Sequence, residues 1–155
     1  MTLATQILDK AKQSGIMIAS AESCTGGMVM AALTDIAGSS LVAERGFVTY
    51  TNAAKMQMLG VRAQTLDAFG AVSENVAAEM AQGALANSEA QLTVSITGIA
   101  GPGGSDHKPE GRVCFGVSDA QSTITATVEF GALGRENVRI AARDHALKLL
   151  LDRLN

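Results

Sequence analysis

The stretch IMIASAESCTGGMVMAALTDIAG, residues 16–38, decides the fold class of this chain. Its apolar start at 16–20 predicts a short buried strand, and residues 25–37 have the composition of a helix that Gly38 ends. The segment AESCTGG, residues 21–27, lies between them and combines an acid, two hydroxyls, a thiol and two glycines. Such a junction is typical of a helix cap, a phosphate-binding loop or a catalytic turn.

The alternation of strands and helices continues on both sides of this stretch. The further predicted elements are a helix that Thr2 caps and Gly15 ends, a strand at 44–51, a short helix capped by Asn52 and ended by Gly60, a helix at 73–86 capped by Ser73, a strand at 92–97, a hairpin of strands at 113–117 and 123–130, and a helix at 135–154. This order predicts an α/β fold with a mixed, mostly parallel sheet between helices. Such sheets bind ligands at the carboxyl ends of their strands, which selects the loops at 21–27, 50–55 and 97–104.

Length and composition exclude several classes of protein. A chain of 155 residues predicts one domain, residues 1–155, and the absence of Trp with a single Tyr argues against a stacking platform for single-stranded nucleic acid. A net charge of −3 without a Lys/Arg-rich run argues against nucleic-acid and membrane-surface binding. The N-terminus lacks the pattern of a signal peptide, no apolar run reaches transmembrane length, and two distant cysteines indicate neither a disulfide framework nor a metal cluster. We therefore expect a cytoplasmic protein.

Ser23 has two interpretations. As a helix N-cap it would accept from backbone amides, although Thr25 offers a second hydroxyl for that task. As a nucleophile it would lie beside the backbone amides of Gly26 and Gly27, which could hold a developing oxyanion, because glycine lets a substrate approach closely. Cys24 is an alternative nucleophile, since a helix N-terminus lowers the pKa of a thiol, or else a small packed residue.

A nucleophilic serine needs a base, and the sequence offers few candidates. Of the two histidines, His107 lies in the Gly/Pro-rich loop at 98–111, and His145, in the last helix, is expected at the surface. Lys55 follows a strand among small and apolar residues, where desolvation would lower its pKa, and a Ser–Lys pair can replace a Ser–His–Asp triad. The structural alternative for this lysine is an ordinary ion pair. Tyr50 is either a core residue with its hydroxyl at the rim or a proton relay.

Five motifs in order resemble the C-terminal domain family of the CinA competence/damage-inducible proteins, and the resemblance covers nearly the whole chain. The motifs are AESCTGG at 21–27, TDIAGSS at 34–40, ERGFVTYTNAAK at 44–55, GAVSENV at 70–76 and SITGIAGPGG at 95–104. The resemblance implies a three-layer α/β/α domain with a mixed sheet, assembled into a homo-oligomer. It also implies the stand-alone type of this family, because the nucleotide-processing domain of the full-length proteins does not precede the motifs.

The function that the resemblance implies is hydrolysis of the carboxamide of nicotinamide mononucleotide. The products are nicotinate mononucleotide and ammonia, and neither a metal nor an organic cofactor is required. The expected partner is this small nucleotide, with no nucleic acid and no membrane. The alternative is a non-catalytic nucleotide-binding or regulatory module of the same fold, which would release no ammonia.

The same resemblance assigns roles to individual positions. It implies that Ser23 is the nucleophile, that Lys55 is its base and that Tyr50 assists. It also places Thr97 and Gly98 near the substrate. The substrate phosphate needs a cationic partner, and the start of the last helix, where anions are favoured, carries Arg135 and Arg139.

Overall fold

The computed structural model describes all 155 residues and contains one five-stranded sheet and six α-helices. The elements are α1 (Leu3–Ser14), β1 (Ile18–Glu22), α2 (Met28–Thr34), β2 (Ala43–Val48), α3 (Asn52–Leu59), α4 (Ala63–Phe69), α5 (Glu74–Ala86), β3 (Leu92–Gly98), β4 (Arg112–Ser118), β5 (Thr123–Glu129) and α6 (Arg135–Leu154), with a 3₁₀ turn at Ser39–Leu41. The strand order is β2-β1-β3-β4-β5. Strands β2, β1 and β3 are parallel, whereas β4 is antiparallel to β3 and β5 is antiparallel to β4. The predicted α/β class with a mixed sheet is confirmed.

Helices cover both faces of the sheet. On one face α1, α2 and α6 pack together, and the larger apolar cluster lies between them and the strands, with Leu8, Leu33, Phe115 and Leu150 fully buried. On the other face α5 lies across the sheet and carries α3 and α4, and Met80 belongs to the smaller cluster there. The three-layer arrangement is therefore also confirmed. None of the helices combines the length and the hydropathy needed to cross a bilayer.

The position of β1 explains where a ligand can bind. This strand is buried along its whole length because it lies between β2 and β3 and beneath helices on both faces. Its last residue, Glu22, pairs with Val48 of β2 and Ile96 of β3. The carboxyl ends of three parallel strands consequently meet at one edge, and the loops at 21–27, 50–55 and 97–104 start there.

Local capping sets several boundaries. Thr2 and Gly15 flank α1, Ser73 caps α5 and Gly60 ends α3, all as predicted. The cap of α3 is Thr51, whose side chain accepts from the Ala54 amide, so the prediction of Asn52 as the cap was wrong by one residue.

Two further predictions differ from the structure, and one helix was not predicted. Helix α2 spans Met28–Thr34, shorter than the predicted 25–37, because a turn occupies the residues before it. Helix α4 was not predicted, since its seven residues bury only Thr65 and Leu66 and show no helical period. His145 is not a surface residue: it is half-buried, and its ring centroid lies 4.7 Å from that of Phe115.

Candidate active site

A cavity of about 340 Å³ opens at the edge of the sheet where β1, β2 and β3 end. Small-molecule sites in proteins typically measure about 300–1,000 Å³. All three loops that the sequence selected contribute to it, together with the chain around Val72 and the start of α6. The predicted site residues that line it are Ser23, Lys55, Tyr50, Thr97, Gly98 and Arg135. Gly26, Gly27 and Arg139 were also predicted for the site, but they are not part of its lining.

The structure brings Ser23 and Lys55 together at the base of this cavity. The Lys55 Nζ lies 3.1 Å from Ser23 Oγ, 3.1 Å from the carbonyl oxygen of Thr49 and 3.3 Å from that of Tyr50. A neutral amine has two N–H bonds and one lone pair, and a carbonyl oxygen can only accept. When Lys55 is neutral, its two N–H groups therefore donate to the two carbonyls, and its lone pair faces the serine hydroxyl.

The surroundings of Lys55 favour that neutral form. Its side chain is among the largest fully buried ones in the protein, and none of the five ion pairs includes it. Burial lowers the pKa of Lys55 because the charged ammonium loses its hydration. An ion-paired lysine, the structural alternative from the sequence, is not what the structure contains.

Glu22 is the residue that caps α2, a role that the sequence had left to Ser23 or Thr25. Its carboxylate is buried and accepts from the backbone amides of Gly27, Val29 and Met30. The hydroxyls of Ser20 and Thr25 donate to the same carboxylate. Ser23 Oγ accepts from no amide of the helix, and its one side-chain partner is Lys55. The N-cap interpretation of Ser23 is therefore wrong.

The assignment of Gly26 and Gly27 as oxyanion donors is also wrong. The Gly26 amide donates to the Ser23 carbonyl at 3.1 Å, and the Gly27 amide donates to Glu22 Oε1 at 3.2 Å. Both amides are thus occupied within the turn. Glycine is needed at these two positions for the shape of the turn, because their φ angles of 57° and 107° lie in a region that other residues rarely adopt.

Two other amides of the turn remain without a protein acceptor. They belong to Cys24 and Thr25, the residues that directly follow Ser23. Cys24 lines the cavity. A backbone N–H next to a nucleophile is a common oxyanion donor, because it lies close to the carbonyl that the nucleophile attacks.

The thiol of Cys24 is not suited to be the nucleophile. Its side chain is 6% exposed, and burial raises the pKa of this thiol to about 11. Since the thiolate is the reactive form, Cys24 is protonated and weakly nucleophilic at neutral pH. The structure supports the alternative that this cysteine is a small packed residue.

Tyr50 meets Lys55 through its main chain and not through its hydroxyl. The hydroxyl accepts instead from Arg135 Nη2 at 2.9 Å, and Arg135 Nη1 donates to the Gly101 carbonyl at 2.8 Å. The predicted relay through the Tyr50 hydroxyl is therefore not supported by the geometry. Arg135 is outside all five ion pairs, so a cation without a carboxylate partner lies at the cavity.

Thr97 and Gly98 line the cavity at the end of β3, but each also has a structural task. The Thr97 hydroxyl donates to the Ala71 carbonyl at 2.9 Å and fixes the loop before α5. A Cβ on Gly98 would lie 2.7 Å from Val113 Cγ2, so a larger residue would displace β4.

Arg139 lies one helical turn beyond Arg135 and faces the back of the AESCTGG turn. Its Nε donates to the Cys24 carbonyl at 2.9 Å, and its Nη2 lies 3.5 Å from the Thr25 carbonyl. Because Arg139 contacts the turn and does not line the cavity, the structure does not favour it as the partner of the substrate phosphate.

Sequence reasoning missed two other contributors to this region. From the sequence, Glu22 was noted only as one polar residue of the motif. Its position at the end of a buried strand, shortly before a helix, could have indicated that its side chain caps that helix. Lys108 Nζ donates to the carbonyls of Phe69 and Val72, at 2.5 and 2.7 Å, and ties the Gly/Pro-rich loop to the loop before α5. No local pattern points to that contact. No group of three or more His, Cys, Asp or Glu side chains is arranged to hold a metal ion.

Comparison with known proteins gives consistent results along almost the full length of the chain. The family model of the CinA C-terminal domain matches residues 1–154. The chain is 50% identical over 151 residues to the nicotinamide-nucleotide amidohydrolase PncC of Escherichia coli (strain K12), covering 97% of this chain and 92% of that protein. The crystal structure of the competence/damage inducible protein CihA from Agrobacterium tumefaciens superposes with a TM-score of 0.94 at 47% identity, covering 97% of this chain and 92% of that one. A CinA superfamily protein from Klebsiella pneumoniae gives a TM-score of 0.94 at 35% identity over 98% of this chain and 95% of that one.

Proposed function

This chain belongs to the CinA C-terminal domain family, and we propose that it hydrolyses the carboxamide of nicotinamide mononucleotide to nicotinate mononucleotide and ammonia. The identity of 50% and 48% to two enzymes named nicotinamide-nucleotide amidohydrolase, over nearly the whole length of both chains, supports this reaction. The single observation that carries the mechanism is the 3.1 Å contact between Lys55 Nζ and Ser23 Oγ, in which the buried lysine forms no ion pair with a carboxylate.

The first half of the reaction forms an acyl-enzyme. Neutral Lys55 removes the proton of Ser23 as Oγ attacks the carboxamide carbon. The carbonyl oxygen becomes an oxyanion, and the free backbone amides of Cys24 and Thr25 donate to it. Lys55, now charged, transfers its proton to the amide nitrogen, the C–N bond breaks, and ammonia leaves.

The second half restores the enzyme. Lys55 is neutral again after ammonia departs and accepts a proton from a water molecule that attacks the acyl carbon. A second tetrahedral intermediate forms at the same amides. Its collapse breaks the bond to Ser23 Oγ, which recovers its proton from Lys55. The new carboxylic acid gives its remaining proton to solvent, and the product leaves as the carboxylate. Each step uses groups of this chain and water alone.

Arg135 is the residue that we assign to the substrate phosphate. Its guanidinium is held at the cavity by the Tyr50 hydroxyl and the Gly101 carbonyl, and it has no carboxylate partner. Arginine binds phosphate through parallel N–H groups, and a guanidinium that forms no ion pair keeps its charge available to an anion. The role of Tyr50 in this proposal is to orient Arg135 and to supply a carbonyl to Lys55, not to relay protons.

Ammonia release is the direct test of this function. The purified protein is incubated with nicotinamide mononucleotide, and in parallel with nicotinamide riboside, which has the same carboxamide and lacks the phosphate. We expect one ammonia and one nicotinate mononucleotide per turnover, with a much higher kcat/KM for the phosphorylated compound. Binding of the mononucleotide without any ammonia would favour the non-catalytic module instead.

Three further properties stay predictions. Residues 1–155 are proposed to form a single domain, the protein to be a homo-oligomer and its compartment to be the cytoplasm. Sedimentation velocity measures the assembly state, and a single monomeric boundary at working concentration would contradict the second property.

A further inference from the structure

We propose that Glu22 is a positioning residue for the reaction, because it fixes the turn that carries both the serine hydroxyl and the free amides. This inference rests on the proposed function. The starting observation is a carboxylate with 1% exposure and no cationic partner among the ion pairs, directly before Ser23 in the chain. A buried charge without a counter-ion is costly unless hydrogen bonds satisfy it.

The carboxylate of Glu22 is satisfied from two directions. Oε1 accepts from Thr25 Oγ1 at 2.7 Å, from the Gly27 amide at 3.2 Å and from the Val29 amide at 3.0 Å. Oε2 accepts from Ser20 Oγ at 3.0 Å and from the Met30 amide at 3.1 Å. Five donors therefore surround one carboxylate, three of them backbone amides at the start of α2.

The main chain of Glu22 is fixed as firmly as its side chain. Its carbonyl accepts from the Thr49 amide at 2.8 Å, and the next amide, that of Ser23, donates to the Ile96 carbonyl at 2.9 Å. One residue thus joins the centre of the sheet to the first turn of α2. Residues 23–27 close a short loop between these two fixed points.

The hydrogen bonds of Glu22 fix the backbone conformation of the turn at 23–27, and this conformation decides which amides remain free. The carboxylate of Glu22 accepts from the amides of Gly27, Val29 and Met30, and the Gly26 amide donates to the Ser23 carbonyl. The amides that are left for a substrate are those beside the nucleophile. A helix capped by a serine side chain would have placed Oγ on an amide and away from Lys55. Glu22 therefore keeps Ser23 Oγ available to Lys55.

The test compares Glu22→Gln with Ser20→Ala. The glutamine has the same shape, but its NH₂ group faces amide donors, so the turn must rearrange. We expect kcat to fall about 100-fold, as when an oxyanion donor is lost, with KM changed less than about threefold because Arg135 belongs to another element. Ser20→Ala removes one donor from the strand side of the same carboxylate and should keep the wild-type kcat.

Two further measurements separate the possible outcomes. Thr25→Ala removes a donor from within the turn and should lower kcat without a matching rise in KM, even if Glu22→Gln does not fold. Labelling of Ser23 by a fluorophosphonate, followed by mass spectrometry, reports the reactivity of Oγ without the nucleotide and should slow in Glu22→Gln and Thr25→Ala. If the wild type releases no ammonia but is still labelled at Ser23, the proposed substrate is refuted, whereas the role of Glu22 is still tested by the labelling rates. Wild-type kcat and labelling rates in both folded variants would refute the role of Glu22.

Discussion

Replacing Ser23 by alanine should separate chemistry from stability in this protein. The hydroxyl has one side-chain hydrogen bond, 3.1 Å to Lys55 Nζ, and caps no helix because Glu22 accepts from the amides of α2. Loss of one such bond costs about 1 kcal/mol of unfolding free energy. For a domain of this size, that corresponds to a fall in Tm of about 2–4 °C.

The effect on turnover should be far larger. If Oγ attacks the carboxamide, its removal leaves only substrate binding and the free amides, and kcat should drop on the order of 10⁴-fold or more. Nicotinamide mononucleotide should still bind, because Arg135 is untouched. The measurements are ammonia release, calorimetric titration with the mononucleotide and thermal unfolding, all on the same preparation.

Cys24→Ala is the matched control for this experiment. Its thiol is buried, its pKa is raised to about 11, and it has no step in the mechanism, so most of the activity should remain. The reasoning would be refuted by an active Ser23→Ala together with an inactive Cys24→Ala, which would make the protein a cysteine amidase. A stability loss of roughly 0.5–2 kcal/mol in Ser23→Ala with turnover largely intact would instead restore the capping role.

The remaining predictions concern three other residues. Lys55→Arg should be inactive, because arginine keeps the charge but does not release its proton near neutrality; near-normal turnover would make Lys55 an electrostatic support. In the wild type, kcat should rise with pH through the lowered pKa of Lys55, since the base must be neutral, and a flat profile would contradict that role. Arg135→Ala should raise KM for nicotinamide mononucleotide but not for the riboside, whereas an equal change for both would remove Arg135 from the phosphate site. Thr49→Val should leave stability unchanged or raise it by up to about 1 kcal/mol in urea unfolding, because the buried Thr49 hydroxyl has no hydrogen-bond partner, and a clear loss would reveal one.

The elements that the sequence predicted well are those whose signals are local. Helix α6 has the predicted bounds because twenty residues give a clear apolar stripe, and α5 because Ser73 is a strong cap. The edge of the sheet was predictable as the place for a ligand, since parallel strands end together. These inferences need only the chain order and residue types within a few turns.

The details of the candidate site that the sequence did not give depend on contacts between distant segments. Arg135 and Tyr50 are 85 residues apart, and Arg139 reaches a carbonyl 115 residues away. Their position at the N-terminus of α6 made both arginines equal candidates for the phosphate site. Only the direction of their side chains, Arg135 toward the cavity and Arg139 toward the turn, distinguishes them. The function of the glycines was likewise misread, because their amides are occupied by groups within the turn that no residue pattern identifies.

The absence of a carboxylate beside Lys55 connects the stability of the fold with the proposed chemistry. An ion pair there would satisfy the buried amine, but it would hold the ammonium form and prevent it from accepting the proton of Ser23. The protein uses two backbone carbonyls instead, those of Thr49 and Tyr50, which satisfy N–H groups and carry no charge. Burial then costs stability at neutral pH, since the unfolded state holds a proton on this lysine more readily than the folded state does. The one buried carboxylate nearby, that of Glu22, is surrounded by amides and hydroxyls, so each of the two buried groups is satisfied by neutral partners and Lys55 remains free to act as a base.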